Sequence, residues 1–473
     1  MKKHIICALS FCALAFSACG SNEWDVPSYS GVDNGENITE GMTPLAEDVQ
    51  RAPLYWSVYE NLRDKETAKV PQTFTMDDWN QTIDWVSANF KPYGYTMLCT
   101  DGFASMIGPD GYMTEYSGVP LKDIVAACKA KGLTLGVYDN PLWVHQTNAD
   151  AVIPGTDGIK VSSLLFDAAK DKDVISPSTK EDFWWVVTDH PGAHEFIDGF
   201  FRHYADLDIH FIRMDFLSWY EDGKNYSDQV NKGYGRKRYV QAMKWIAEAA
   251  RKYGVFVSLV MPHMKNDAAI EKYCGNMTRI NADALEGGWQ RFSEENRGLL
   301  RGGWPNSENM FDGFINWSRI SGRGKIILDG DFTRIHSYAN DDEKMSVISL
   351  QLMAGGPVAV TDQPSTIGDG LRFYQNRELL ALNADKFVGQ PMSHGLWDVK
   401  SQIWYGQMQD GSWVVGLFNR DAEPAVRSVK FFDFGAEGSY KVRDLWTHTD
   451  EGSASELSAT IPAHGCKIVR LTK

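Results

Sequence analysis

Basic residues are in deficit along this chain of 473: 47 lysines and arginines face 62 acids, for a formal charge of −15. A protein that grips a phosphate backbone gains affinity by releasing counterions through Lys and Arg contacts. No basic stripe here could supply that, so nucleic acid is excluded as a partner. Long apolar runs are missing too, since the one continuous stretch, from Ile5 to Phe16, is too short to span a bilayer stably. Cysteine is sparse, with seven residues at no metal-ligand spacing. His190 and His194 in "DHPGAHEF" suit a helix start, and neither they nor His263 in "SLVMPHMKND" form a zincin-type motif. Neither a phosphate-binding glycine loop nor a nucleophile elbow occurs. No metal and no organic cofactor is therefore expected, and there is no internal repeat or low-complexity tract.

What is present is a chain 43% hydrophobic and 12% aromatic, long enough for one large domain and a smaller one. Lys2 and Lys3, the apolar run and "SAC" ending at Cys19 have the layout of a secretory signal. The stretch "AFSACGSNEWD" resembles a bacterial lipoprotein signal, which implies that Cys19 carries a lipid anchor; a merely cleaved signal is the alternative. Residues 1–19 are read as the signal and 20–47, rich in Gly, Ser, Asn and acids, as a flexible tether. The expectation is an exported lipoprotein of the periplasm or cell surface, anchored at the outer membrane. No bridge is assigned among Cys99, Cys128, Cys274 and Cys466; the first two lie in apolar runs that suit buried thiols.

Beyond the tether, short β-forming runs alternate with amphipathic stretches, the pattern of βα units around a parallel sheet. Eight candidate strands include "YTMLCTD" ending at Asp101, "LTLGVYDN" at Asn140, "IHFIRMD" at Asp215, "MTRINAD" at Asp283, "KIILDGD" at Asp331 and "PVAVTD" at Asp362. Six of the eight close on an acid or amide, which in a (β/α)8 TIM barrel brings those groups to one mouth. Between them, "TMDDWNQTIDWVSANF" pairs Thr75 with Asp78 as a capping box. "YVQAMKWIAEAARKYG" reads as another helix, stopped by Gly254. The long stretch from Asn140 to His190 is expected as a substrate-facing excursion. After about Gly389 the pattern becomes alternating strands, with a hairpin turn at Asp410 and Gly411. The predicted architecture is thus a (β/α)8 barrel over residues 48–389, followed by an antiparallel β-sandwich over 390–473.

An ionised carboxylate in an apolar strand is costly unless paired, so "FIRMDF" demands a reason for Asp215. Period-2 alternation puts Arg213 on its face, where a cation would keep it ionised; a plain strand-closing salt bridge is the alternative. "MTRINADALEGGW" repeats the arrangement with Arg279 and Asp283. Two such acids across one mouth suit glycoside cleavage, one attacking the anomeric carbon and the other protonating the leaving oxygen. Sixteen tryptophans, among them Trp56, Trp143, Trp219, Trp289 and Trp304 near strand ends, suit the apolar faces of sugar rings.

These residues carry a resemblance that runs in order from about Ala52 to Thr472. "APLYWSVYENL", "CTDGF", "KGLTLGVYDN", "FIRMDF", "TRINADALEGGW" and "MSVISLQLMAGGPVAVTDQP" resemble the α-galactosidase clan, nearest to glycoside hydrolase family 27 with some likeness to family 36. The resemblance implies Asp215 as nucleophile, Asp283 as general acid/base, and Trp56, Asp101, Tyr138, Arg213 and Arg279 as substrate-binding residues. It further implies a retaining exo-acting α-glycosidase on an oligosaccharide or polysaccharide, with α-galactoside as the leading substrate. β-L-Arabinopyranoside, α-N-acetylgalactosaminide and α-glucoside are the alternatives, and a non-catalytic glycan-binding lipoprotein is the rival. If Asp283 is the acid, its surroundings are expected to raise its pKa relative to that of Asp215. Three positions depart from the family pattern. Arg213 stands where a Lys is usual, Thr100 replaces the first of two Asp that hold the axial and primary hydroxyls of galactose, and Val260 replaces a Glu for the 2-hydroxyl.

Overall fold

A computed structural model of the chain describes residues 39, 41–47, 51–102, 106–107, 111–145, 150–165, 183–230, 233–284 and 287–473. The signal 1–19 with Cys19, and most of the tether, lie outside the described residues.

Nine short strands build one parallel sheet. They are β1 (Leu54–Ser57), β2 (Met97–Cys99), β3 (Thr134–Tyr138), β4 (Phe211–Met214), β5 (Phe256–Leu259), β6 (Met277–Arg279), β7 (Ile327–Asp329), β8 (Phe332–Thr333) and β9 (Val358–Val360). Their order is β7-β6-β5-β4-β3-β2-β1-β9-β8. The two ends of that list, β7 and β8, are separated only by Gly330 and Asp331, so the sheet closes on itself. Eight strand positions therefore make the expected (β/α)8 barrel, with the seventh bent at Asp331, whose φ is +80°.

The barrel interior is filled by side chains including Tyr55, Met97, Phe211, Met277 and Phe332. Such a crowded centre needs one strand to withdraw. A Cβ on Gly136 of β3 would lie 2.7 Å from the Phe211 ring and 3.0 Å from the Met97 sulfur, so glycine is required there. Outside the sheet, helix α1 (Met76–Asn89) starts at the Thr75/Asp78 capping box and buries Trp79, Ile83 and Val86. α2 (Ala193–Asp206) begins where "DHPGAH" suggested, and α3 (Arg236–Tyr253) stops at Gly254, φ +65°. The excursion after β3 carries strand Trp143–His145, which pairs antiparallel with Phe183–Trp185.

The C-terminal region is an antiparallel β-sandwich with its own core, in which Val415, Leu417, Phe431 and Val469 are fully buried. Its larger sheet holds Ile403–Gln407, Trp413–Phe418, Cys466–Thr472 and Tyr440–Asp444 as neighbours, and Ala425–Lys430 pairs with Glu456–Ile461 opposite. Arg420 locks it to the barrel. That guanidinium is buried and donates to Asp312 Oδ1 (2.7 Å) and Ser293 Oγ (2.9 Å). Cys99, Cys128, Cys274 and Cys466 are free thiols. No described helix is long and apolar enough to cross a membrane.

Candidate active site

Asp215 stands one residue past β4, and the chain turns sharply behind it through Phe216, φ +61°. Its carboxylate is held on both oxygens: Phe216 N–H donates to Oδ1 (2.7 Å) and the Tyr138 hydroxyl to Oδ2 (2.9 Å). Asn140 Nδ2 donates to its backbone carbonyl (2.8 Å), so the end of β3 fixes the end of β4. Burial pushes the Asp215 carboxyl up to about 6, with the charge of Asp283 as the next cause; the Phe216 N–H, Arg213 and Tyr138 oppose. The Asp283 side chain is 54% exposed and takes a 2.9 Å hydrogen bond from Arg279 Nη2.

A stability consequence follows from that shift. A carboxyl whose pKa is raised on folding contributes stability that is full below its unfolded value near 4 and is lost as pH rises through about 6. Asp215→Asn is expected to raise the thermal midpoint by about 2–5 °C at pH 7.5, with the gain gone at pH 4. A gain of equal size at both pH values would rule out the buried charge as its source.

One sequence expectation needs correction. β6 ends at Arg279, so Asp283 lies in the loop beyond it and shares no strand face with that arginine. The pair still meets, because the loop folds Asp283 back to the guanidinium. Arg213 does oppose the upward push on Asp215, as expected of a nearby cation, but its salt bridges are not to that acid. Arg213 is buried and reaches across the barrel instead, donating to Asp329 Oδ2 (2.8 Å) and Asp331 Oδ1 (2.9 Å) with its guanidinium 4.6 Å from the Phe332 ring centre. Arg279 meets the same oxygen of Asp331 at 2.7 Å. Asp331 is thus the hub of two guanidiniums, and through Arg279 it sets the position of Asp283.

Asp329 and Asp331 escaped the sequence reading as site residues, although "KIILDGD" had marked a strand end. Tyr59 escaped it too. Its ring stacks on Phe332 at 4.6 Å, and its hydroxyl pKa is pushed up by burial and then by Asp283, Asp331 and Asp101. Its one signal was its place three residues after Trp56.

Asp101 is partly buried behind β2, takes the Gly102 N–H (2.8 Å), and is pushed up to about 7 by burial, with Arg213 opposing and Asp215 adding. The tryptophans are wall material more than open platforms. Trp56, Trp143, Trp219 and Trp304 are all at most 4% exposed, and Trp56 Nε1 donates to the Asp362 carbonyl (2.9 Å). Trp143 does return to the site, its ring 5.8 Å from Tyr138 and 6.0 Å from Phe216. Of the strand-end acids, Asp362 is spent locally: its carboxylate accepts from Ile335 and His336 N–H, His336 Nδ1 and the Tyr374 hydroxyl. Glu60, His336 and Asp362 are a described trio whose candidate ligand atoms lie within 4.8 Å of one another.

At the two altered positions the geometry is equally definite. Thr100 is fully buried and its Oγ1 accepts the Tyr138 N–H (2.9 Å), while Val260 is 1% exposed.

An acid just past β4, a second on the loop after β6, a buried guanidinium pair and a C-terminal sandwich can be compared with known proteins. An alpha galactosidase C-terminal beta sandwich domain model matches residues 398–471. Isomalto-dextranase of Arthrobacter globiformis is 38% identical over 445 residues, covering 89% of this chain and 67% of that protein. The chain belongs to glycoside hydrolase family 27. The solved structure of that relative, complexed with panose, superposes with a TM-score of 0.82 at 36% identity, covering 89% of this chain and 72% of the other. An alpha-galactosidase of Oryza sativa subsp. japonica is 24% identical over 264 residues, 54% of this chain and 58% of its own. The family 27 β-L-arabinopyranosidase of Geobacillus stearothermophilus shares the fold at a TM-score of 0.69 and 16% identity, covering 91% and 98% of the two chains. As a family 27 member the chain is a glycosidase, and its substrate is an oligosaccharide or polysaccharide.

Proposed function

We propose that this family 27 glycosidase is a retaining, exo-acting hydrolase of α-linked glucans, with glucose and not galactose in the pocket. The observation that carries the reading is the state of Thr100. Galactose differs from glucose in its axial 4-hydroxyl, and Thr100, whose hydroxyl is engaged by the Tyr138 N–H, offers no carboxylate for it. Val260 bears on the 2-hydroxyl, which the two sugars share, so it does not divide them. A pocket loses strongly against a substrate whose hydroxyls it leaves unpaired. The 38% identity to an isomalto-dextranase, against 24% to an α-galactosidase, supports the same choice among the sugars considered.

In this reading Asp215 attacks the anomeric carbon while Asp283 gives its proton to the departing oxygen, so that the C1–O bond breaks as a C1–carboxylate bond forms. Asp283 then takes a proton from water, which attacks C1 and releases Asp215. Tyr138 and the Phe216 N–H hold the nucleophile in place, and Arg279 holds the acid. Asp215 must be ionised to attack, so kcat/KM is expected to fall as pH drops through about 6.

The test is a panel of aryl α-glucoside, α-galactoside, α-N-acetylgalactosaminide and β-L-arabinopyranoside with isomaltose-series oligosaccharides. Glucosyl substrates are expected at least tenfold above the rest in kcat/KM. Preference for galactoside would restore the leading sequence expectation, and glycan binding without any hydrolysis would favour the non-catalytic rival.

A further inference from the structure

Asp283 is half in solvent and stands on the loop past the end of β6, not on a strand. A proton donor on a loop is aimed by whatever holds that loop. The start is held by Asp331, whose Oδ2 accepts the Ala284 N–H at 2.7 Å. Further on, Gly287 (φ +71°) packs so closely on Ser337 that a Cβ there would lie 2.4 Å from the hydroxyl oxygen. Beyond it the loop is held from outside the barrel.

Trp289, six residues after Asp283, stacks on the imidazole of His464, with ring centres 4.2 Å apart and planes 11° from parallel. His464 belongs to the sandwich, in the turn before strand Cys466–Thr472, and its backbone there is left-handed (φ +60°). That conformation is uncommon for a residue with a Cβ and persists where neighbours fix it. Helix α4 (Asp341–Met353) supplies two of them: Glu343 Oε1 accepts from His464 Nδ1 (2.8 Å), and Ser346 Oγ donates to the His464 carbonyl (2.7 Å). Glu343 is itself buried and takes the Ala339 N–H on its other oxygen (2.9 Å), so the imidazole is fixed in orientation. Two more sandwich residues reach the same loop. Arg420 donates to Ser293 Oγ at 2.9 Å, and Asp421 pairs with Arg297 at 3.5 Å. Trp289 is thereby a handle by which the second domain holds a barrel loop.

We infer that His464 is a positioning residue for the acid/base: through its stack on Trp289 the sandwich sets where the loop after β6 presents Asp283. The inference rests on the reading of Asp283 as the acid/base. A loop that drifts misplaces the proton donor while leaving the nucleophile and its hydrogen bonds untouched, so the loss falls on kcat and on substrates whose leaving oxygen needs the proton. His464→Ala is expected to lower kcat about fivefold more on an α-linked oligosaccharide than on a dinitrophenyl α-glycoside of the same glycosyl unit, with KM within about twofold of wild type on both. His464→Phe keeps a ring over Trp289 and is expected to recover most of that difference. Trp289→Leu removes the handle from the barrel side, leaves the sandwich whole, and is expected to show the same split. Equal losses on the two substrates in both truncations, or a change confined to KM, overturn the positioning role. Asp283→Ala, measured beside them, separates the two readings. If it shows no dependence on the leaving group, the acid assignment falls and the inference with it; if it does while His464→Ala and Trp289→Leu do not, the stack alone is overturned.

Discussion

Asp215→Ala is expected to lose about four orders of magnitude or more in kcat on an aryl α-glycoside of the preferred sugar, with the fold intact by circular dichroism. The size follows from what is removed. Without the carboxylate no covalent intermediate forms, and water would have to attack from a space shaped for a side chain held by Tyr138 and the Phe216 N–H. The cavity left behind supplies a second readout. Azide is small enough to occupy it, and by attacking C1 opposite the leaving group it forms a C1–N bond as the C1–O bond breaks. The product expected is the β-glycosyl azide, at a rate that rises with azide concentration. A near-wild-type rate in the alanine variant, or a rescued product of α configuration, would sink the assignment of Asp215. Asp283→Ala behaves differently in the same reading: an aryl oxygen leaves without much help, so the loss is largest for a sugar leaving group.

How far the sequence discloses this site depends on the range of the interaction involved. The capping box at Thr75 and Asp78, the stop at Gly254 and the hairpin at Gly411 are local, decided within a few residues, and each appears where the sequence placed it. The barrel was legible because eight strand-like runs recur in order, and the sandwich because alternation replaces helical periodicity. Side-chain direction at strand ends was not legible. Alternation holds only while the strand lasts, and β6 ends four residues short of Asp283, which is why that acid shares no strand face with Arg279. Partners across the barrel are further beyond reach. Nothing near Arg213 announces that Asp329 and Asp331, more than a hundred residues on, will neutralise it. The tryptophan argument suffered from the same limit, since composition counts rings but burial decides whether they face sugar, and four of the five singled out are enclosed. The substitution at Thr100 was visible at once, yet its meaning came only when its hydroxyl was found engaged by Tyr138.

Asp331→Ala is expected to cost about 3–5 kcal/mol of folding stability, read as a fall in the urea midpoint at constant slope. Two buried guanidiniums share that carboxylate, and burying a cation is tolerable only while its charge is matched. Asp329 continues to serve Arg213, but Arg279 is left with Asp283, which is half in solvent. Asp331→Asn keeps the volume and one acceptor while removing the charge, so it separates charge loss from packing loss. If the hub works through charge, asparagine falls nearly as far as alanine; if through shape, it stays within about 1 kcal/mol of wild type. The catalytic readout is independent of that choice. An Arg279 no longer drawn towards Asp331 is free to shift, and Asp283 shifts with it, so the soluble fraction of either variant is expected to lose kcat at least tenfold on a sugar leaving group and less on an aryl one. A variant that unfolds early yet retains the wild-type ratio between those substrates would show that Asp331 supports the barrel alone. A ratio that collapses while the urea midpoint holds would show the reverse: the bend that interrupts the seventh strand serves to aim the acid.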